Sequence, residues 1–187
     1  MAKRLRSPEG APLGEVFSFF SALYFRGKLA YARSFARPLI QNTGVLIITP
    51  TAGLLPDRAM VRLSRLRGFS RVPISMKNRR YRSSLLRAVR QLALEIGPDC
   101  EVILLGSVAS GKYLDILSRV FGDQLRVPAE FIGRGDMSRG ALLLRCVEEQ
   151  RELNYIPVAI IPARRLRSLK HPDAASETVQ PSIDILP

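Results

Sequence analysis

Two short apolar runs constrain the fold of this chain more than any other feature. Residues 45–49 read Val45-Leu46-Ile47-Ile48-Thr49, and residues 101–105 end in Val102-Ile103-Leu104-Leu105. Both are rich in β-branched residues, both are too short for a buried helix, and both sit between Gly and Pro turn signals. An unbroken apolar run of this length is the pattern of a strand buried on its two faces, so helices must cover the sheet on either side. A third run, residues 153–161, reads as a last strand.

The intervening segments have helical character. Residues 17–36 are dense in aromatics (Phe17, Phe19, Phe20, Tyr24, Phe25, Tyr31, Phe35) and stop before Pro38. A second helix is expected from a cap at Ser83 or Ser84 to Ile96, where Gly97-Pro98 ends it. A third spans about residues 112–121, and a fourth is capped by Ser138 and runs through Glu149. Residues 50–57 look turn-like, residues 58–78 suggest a short helix and then an extended piece at Arg71-Val72-Pro73-Ile74, and residues 125–131 suggest a short strand or link. This alternation predicts an α/β fold: a single domain with a mostly parallel or mixed central sheet flanked by helices. With 187 residues the chain is long enough for one such core. The expected layout is a basic N-terminal arm over residues 1–16 and the α/β domain over 17–162. A C-terminal tail over 163–187 begins basic, ends polar, and is expected to be partly disordered or to pack late.

Charge is distributed very unevenly. The formal net charge is +13. Between Val16 and Leu94 there are fifteen Lys/Arg and a single acidic residue, Asp57, whereas the remainder from Glu95 onward holds eleven basic and thirteen acidic residues. The density peaks in Arg58, Arg62, Arg65, Arg67, Arg71, Lys77, Arg79, Arg80, Arg82, Arg87 and Arg90. Like charges four residues apart destabilise a helix, so a one-signed field is tolerated most easily where an anion neutralises it. Guanidinium forks suit phosphate oxygens and base edges. Nucleic acid is therefore the expected partner, and a generically basic surface is the bland alternative.

Several classes are disfavoured. No stretch reaches 18 consecutive apolar residues, so no membrane partner is expected, and the basic start lacks the apolar run of a secretory signal. Cys100 and Cys146 are the only cysteines; each adjoins an apolar run, and the pair reads as two buried thiols in a reducing cytoplasm. With one histidine, His171, no metal site is expected. No cofactor is expected either.

Three loops carry candidate chemistry. Gly106-Ser107-Val108-Ala109-Ser110-Gly111-Lys112-Tyr113 satisfies the spacing of a phosphate-binding loop between a strand and a helix. Tyr113 stands where a magnesium-holding hydroxyl is usual, and no later strand ends in Asp, which argues against a nucleotide triphosphatase. An anion or base pocket and a structural turn both remain open. Thr49, Thr51 and Gly53 with Asp57 form the second candidate, either a site that orients water or a capped turn with a salt bridge. In a parallel sheet it would open on the same edge as Gly106. The third is Glu130 with Arg134, Ser138 and Arg139, where glycines allow close backbone approach to a ligand.

The segment Ser21-Ala22-Leu23-Tyr24-Phe25-Arg26, then Tyr31-Ala32, then Ile47 through Gly53-Leu54-Leu55-Pro56-Asp57 resembles uncharacterised bacterial proteins related to the peroxide-stress YaaA family. Gly106-Ser107 and Lys112-Tyr113 fall where that group has a Gly/Ser–Tyr turn. The likeness covers about residues 21–117. It implies an α/β domain with these loops on one ligand-facing edge, and links to DNA or modified-base biology. Thr49-Pro50-Thr51 replaces the usual Ser-Ala-Lys, and the family's opening strand is missing before Ser21. An edge left open by that absence would allow a homodimer.

The leading expectation is a nucleic-acid-binding domain that can act on a base, glycosidase-like. Phosphates would lie on Arg58, Arg62, Arg65, Arg67, Arg71, Lys77, Arg79, Arg80 and Arg82. A pocket would form from Thr49, Thr51, Gly53, Gly106, Ser107, Lys112, Arg134, Ser138 and Arg139. In such an enzyme Asp57 or Glu130 would orient water and Tyr113 would stack on the base. The alternatives are a small-molecule enzyme for a nucleoside or phosphorylated substrate, and a non-catalytic protein that docks an acidic partner.

Overall fold

Val45–Thr49 and Val102–Leu104 are strands, and every residue in both is buried. Their side chains alternate between two separate apolar clusters. Leu46, Ile48, Val102 and Leu104 enter one, while Val45, Ile47, Ile103 and Leu105 enter the other. Each strand thus feeds a core on both faces of the sheet, which is why the runs are unbroken.

The computed structural model describes residues 1–21, 23–38, 44–107 and 111–161, and the backbone of Ser182–Ile185. The elements begin with α1 (Ala2–Arg6), β1 (Ala11–Pro12), α2 (Leu13–Phe20), α3 (Leu23–Phe35), β2 (Val45–Thr49), β3 (Gly53–Pro56) and β4 (Met60–Val61). They continue with α4 (Leu63–Ser70), α5 (Arg79–Ile96), β5 (Val102–Leu104), α6 (Leu114–Phe121), β6 (Leu125–Pro128), α7 (Asp136–Glu148), β7 (Tyr155–Pro157) and β8 (Ser182–Ile185). The six-stranded sheet has the order β3-β2-β8-β5-β6-β7, and β1 pairs with β4 in a separate ribbon. Pairing is mixed: β5 and β6 are parallel, and the other pairs are antiparallel. Because β2 and β5 both run antiparallel to β8, they point the same way as each other and as β6. Their C-terminal ends share one sheet edge.

Helices α5 and α6 cover one face. Tyr81, Leu85, Val89, Leu92 and Ile96 of α5 are buried at helical spacing, with Ile116, Leu117 and Phe121 of α6 in the same cluster. On the other face Tyr24, Phe25, Leu29 and Tyr31 of α3 pack with Leu143 and Cys146 of α7, and Phe69 of α4 joins them. The chain crosses between these layers just after α4, since Phe69 belongs to one cluster and Val72 to the other.

Several expectations are corrected. The first sixteen residues are not an arm: Leu5, Ala11, Leu13 and Val16 are core residues, and Ala11–Pro12 pairs with Met60–Val61. Residues 17–36 form two helices rather than one. Phe17 and Phe25 would lie about 12 Å apart along a continuous helix, but their ring centroids are 5.7 Å apart because the chain folds back after the extended Ser21. Residues 53–56 are a strand hairpinned onto β2. Helix α5 starts four residues before Ser83 and is capped by Asn78, whose side-chain oxygen accepts the Tyr81 N–H at 3.1 Å. Gly135, not Ser138, is the N-cap of α7. Residues 162–181 of the expected tail lie outside the described residues. Ser182–Ile185 is a strand between β2 and β5, so the inner side of β2 is not an open edge for a second copy.

Candidate nucleic-acid interface

All eleven basic residues from Arg58 to Arg90 are exposed. None of them takes part in a salt bridge among the described residues, whose ion pairs all lie elsewhere. Helix geometry explains the exposure on α5. Its buried stripe uses Tyr81, Leu85, Val89, Leu92 and Ile96, which leaves Arg79, Arg80, Arg82, Arg87 and Arg90 on the remaining arc. On α4 only Phe69 is buried, and Arg65 and Arg67 point outward with Arg62 and Arg71 at the two ends.

The two sets do not lie on one plane. Helix α4 belongs to the α3–α7 face and α5 to the opposite face, so the guanidinium groups are spread over both faces of the sheet. Arg82 and Arg90 are eight residues apart, about 12 Å along the helix axis. Together with Arg119 of α6 they rim a groove of 660 Å³ between the two helices. Met76, Leu86, Ile116 and Val120 supply its apolar lining, and Asp115 is the one acidic group there. Arg82 Nη1 also donates to the Met76 carbonyl at 3.4 Å. The sequence marked Arg82 and the neighbouring arginines, but Arg119 and the apolar lining were missed. Both helices are expected from their patterns, over residues up to Ile96 and over about 112–121, but no local signal shows that α6 lies beside α5.

Among the described residues the expected loops are brought together only in part, with Asp57 apart from the rest. The ends of β2, β5 and β6 do share an edge, which brings Thr49, Thr51, Gly106, Ser107, Glu130 and Arg134 to the same side of the sheet. Strand β3 then carries Asp57 back to the far edge, where its N–H donates to the Val45 carbonyl at 3.1 Å. The span of β2 separates the two edges by about 13 Å. Asp57 is buried and accepts from Arg33 Nε at 2.7 Å. It borders a cavity of 410 Å³ with Arg33 and Arg58.

Several pocket candidates serve the fold directly. The fully buried Thr49 hydroxyl donates to the Gly53 carbonyl at 3.0 Å and accepts the Ala52 N–H at 3.2 Å, closing the β2–β3 turn. Gly53 itself has φ +68, and a Cβ there would meet the Ala88 Cβ at 2.5 Å, so β3 reaches α5 only with glycine. Tyr113 is buried with its ring against Gly106: a Cβ on Gly106 would meet the Tyr113 hydroxyl and lie 2.9 Å from its Cζ. The ring therefore fills the turn and is not offered for stacking. Lys112 is exposed, and residues 108–110 of that loop lie outside the described residues. Arg139 is buried rather than loop-facing. It donates to the Phe131 carbonyl at 2.9 Å and to Asp136 Oδ1 at 3.2 Å, with its guanidinium 5.2 Å from the Phe131 ring centre. Exposed Arg134 donates to the Glu130 carbonyl at 3.1 Å and to the Ser138 hydroxyl at 3.2 Å. Glu130 is half-buried, and its Oε2 has no hydrogen-bond partner among the described residues.

No group of acidic, His or Cys side chains among the described residues can hold a metal ion, and no described helix is long and apolar enough to cross a membrane. Comparison with protein-family models, with curated proteins and with solved structures found no match, so the likeness to the YaaA-related proteins rests on its motifs alone.

Proposed function

We propose that the protein binds nucleic acid through the arginines of α4, α5 and the segment between them. One observation carries this reading: eleven neighbouring basic side chains are exposed and none forms a salt bridge among the described residues. Concentrating that much like charge costs self-repulsion, which a phosphate chain removes while releasing its own condensed counterions. The groove between α5 and α6 adds apolar walls beside Arg82, Arg90 and Arg119, suited to the sugar or base of a bound nucleotide. Base release is not part of the proposal, because Asp57 is held on the far edge from Glu130 and Tyr113 lies packed against Gly106.

Fluorescence anisotropy with labelled DNA and RNA across a salt series tests it. Binding should weaken linearly in log–log form, with a slope of about −0.7 to −0.9 per phosphate contacted. Changing Arg79, Arg80 and Arg82 together to Ala should weaken binding and flatten that slope, with little change in thermal stability since all three are exposed. Absence of binding at low salt would overturn the reading.

A further inference from the structure

Phe19 and Phe20, at the end of α2, are 64% and 66% exposed. Core packing does not account for them, because α2 buries Leu13, Gly14 and Val16 on its inner side. Two adjacent, solvent-facing phenylalanines are unusual on a surface where exposed apolar residues normally occur singly. The two rings pack edge to face, with centroids 5.2 Å apart and planes at 87°, so they brace each other outside the core.

Phe20 is linked through Phe17 to the basic helix α4, and Phe19 lies one turn beyond Glu15, which is paired with Arg4. Phe20 lies one helical turn beyond Phe17, on the same flank. The Phe17 ring in turn contacts Phe69 of α4, with centroids 6.4 Å apart. Arg65, Arg67 and Arg71 flank Phe69 and are exposed, as is Arg26 at the start of α3. Aromatic faces beside a cationic track are how sequence-tolerant single-strand binders work: bases stack on the rings while phosphates follow the cations. The layout of the arginines points the same way. They are spread over both faces of the sheet, a course that a flexible strand follows freely and that a duplex, with a persistence length of about 150 bp, follows only at a bending cost.

We infer that Phe19 and Phe20 form a base-stacking platform and that the ligand of this surface is single-stranded nucleic acid, its bases on the two rings and its phosphates on the α4 arginines. This rests on the nucleic-acid reading above but makes a separate claim about strandedness and about two residues that carry no charge.

The experiment compares oligo(dT), oligo(rU) and a duplex of equal length by anisotropy, using wild type, F19A/F20A and F19Y/F20Y. The alanine pair should lose about tenfold or more in single-strand affinity per ring removed, with an unchanged salt slope and unchanged duplex affinity. The tyrosine pair should retain binding. The protein has no tryptophan, so F19W and F20W each introduce a single indole that can be excited apart from the tyrosines, and oligo(dT) should quench both. Quenching serves as a second readout should the alanine pair fold poorly. Wild-type single-strand binding that is indifferent to both phenylalanines, with no quenching, overturns this inference and leaves the nucleic-acid reading standing. A blue shift of the F20W emission on vesicles of anionic phospholipid, without quenching by oligo(dT), also overturns it. Wild type that binds no nucleic acid removes both.

Discussion

Gly27 of α3 and Gly140 of α7 meet backbone to backbone. A Cβ added to Gly27 would lie 2.7 Å from the Gly140 carbonyl oxygen and 3.2 Å from its Cα, and one added to Gly140 would lie 2.8 Å from the Tyr24 Cα. The contacted atoms are main chain, so no rotamer change can relieve the clash. The two helices lie this close because neither has a side chain at the crossing.

Gly27→Ala and Gly140→Ala should therefore each destabilise by about 1–3 kcal/mol, the range of overpacked sites. For a domain of this size the melting temperature should fall about 2–4 °C per kcal/mol. Melting temperatures equal to wild type would mean that the helices can part without cost.

The pair Arg33–Asp57 gives a second expectation. Asp57 is buried, whereas Arg33 is 40% exposed and keeps part of its hydration. The Asp57 main chain also accepts the Gly14 N–H at 2.7 Å and so ties the N-terminal segment to the sheet. Asp57→Asn should cost about 1–3 kcal/mol, as for a buried polar group that loses its charged partner. A double-mutant cycle with Arg33→Met should show coupling between the two sites. Additive losses would assign the role of Asp57 to its backbone alone.

Tyrosine ionisation sets the alkaline limit. Tyr31 is buried; its hydroxyl accepts the Leu153 N–H at 2.8 Å and lies 2.6 Å from the Tyr155 hydroxyl. Burial pushes its pKa up to about 12, and burial raises Tyr155 and Tyr24 still further. A raised folded-state pKa means that the neutral phenol is favoured in the native protein. Its stabilisation is complete below the unfolded value of about 10 and is lost as pH rises through about 12. Denaturant unfolding on either side of pH 10 and again near pH 12 should show this decline. Tyr31→Phe should cost about 1–2 kcal/mol by leaving the Leu153 N–H without its acceptor. Tyrosinate absorbance that appears in the native protein near pH 10 for all five tyrosines would contradict it.

Cys100 and Cys146 are both buried, and burial raises both thiols above their ordinary pKa. Neither should react with a chromogenic disulfide reagent in the native state, and both should react once the chain unfolds. A reaction rate that tracks denaturant concentration would check this. Rapid native-state labelling of either thiol would show an opening that the packing does not contain.

What the sequence determined by itself was local in origin. Unbroken apolar runs at 45–48 and 102–105 signal strands with a core on each face, because a strand's side chains alternate and both sets must be apolar. The excess of arginine between Arg58 and Arg90 signals exposed charge, because unpaired guanidinium groups resist burial. Tertiary structure decided the rest, since it depends on which distant segments meet. Periodicity alone could not show that the aromatic stretch folds back at Ser21, because residues on either side are equally apolar and the break comes from packing Phe17 on Phe25. Nor could it show that Pro50-Thr51-Ala52 is a hairpin turn that sends Asp57 to the far edge, as that follows from β3 finding β2. The spread of the arginines over two faces, the groove between α5 and α6, and the solvent-facing Phe19 and Phe20 are likewise products of helix placement. A phenylalanine reads as core in any sequence, and only the position of α2 against its neighbours left these two outside.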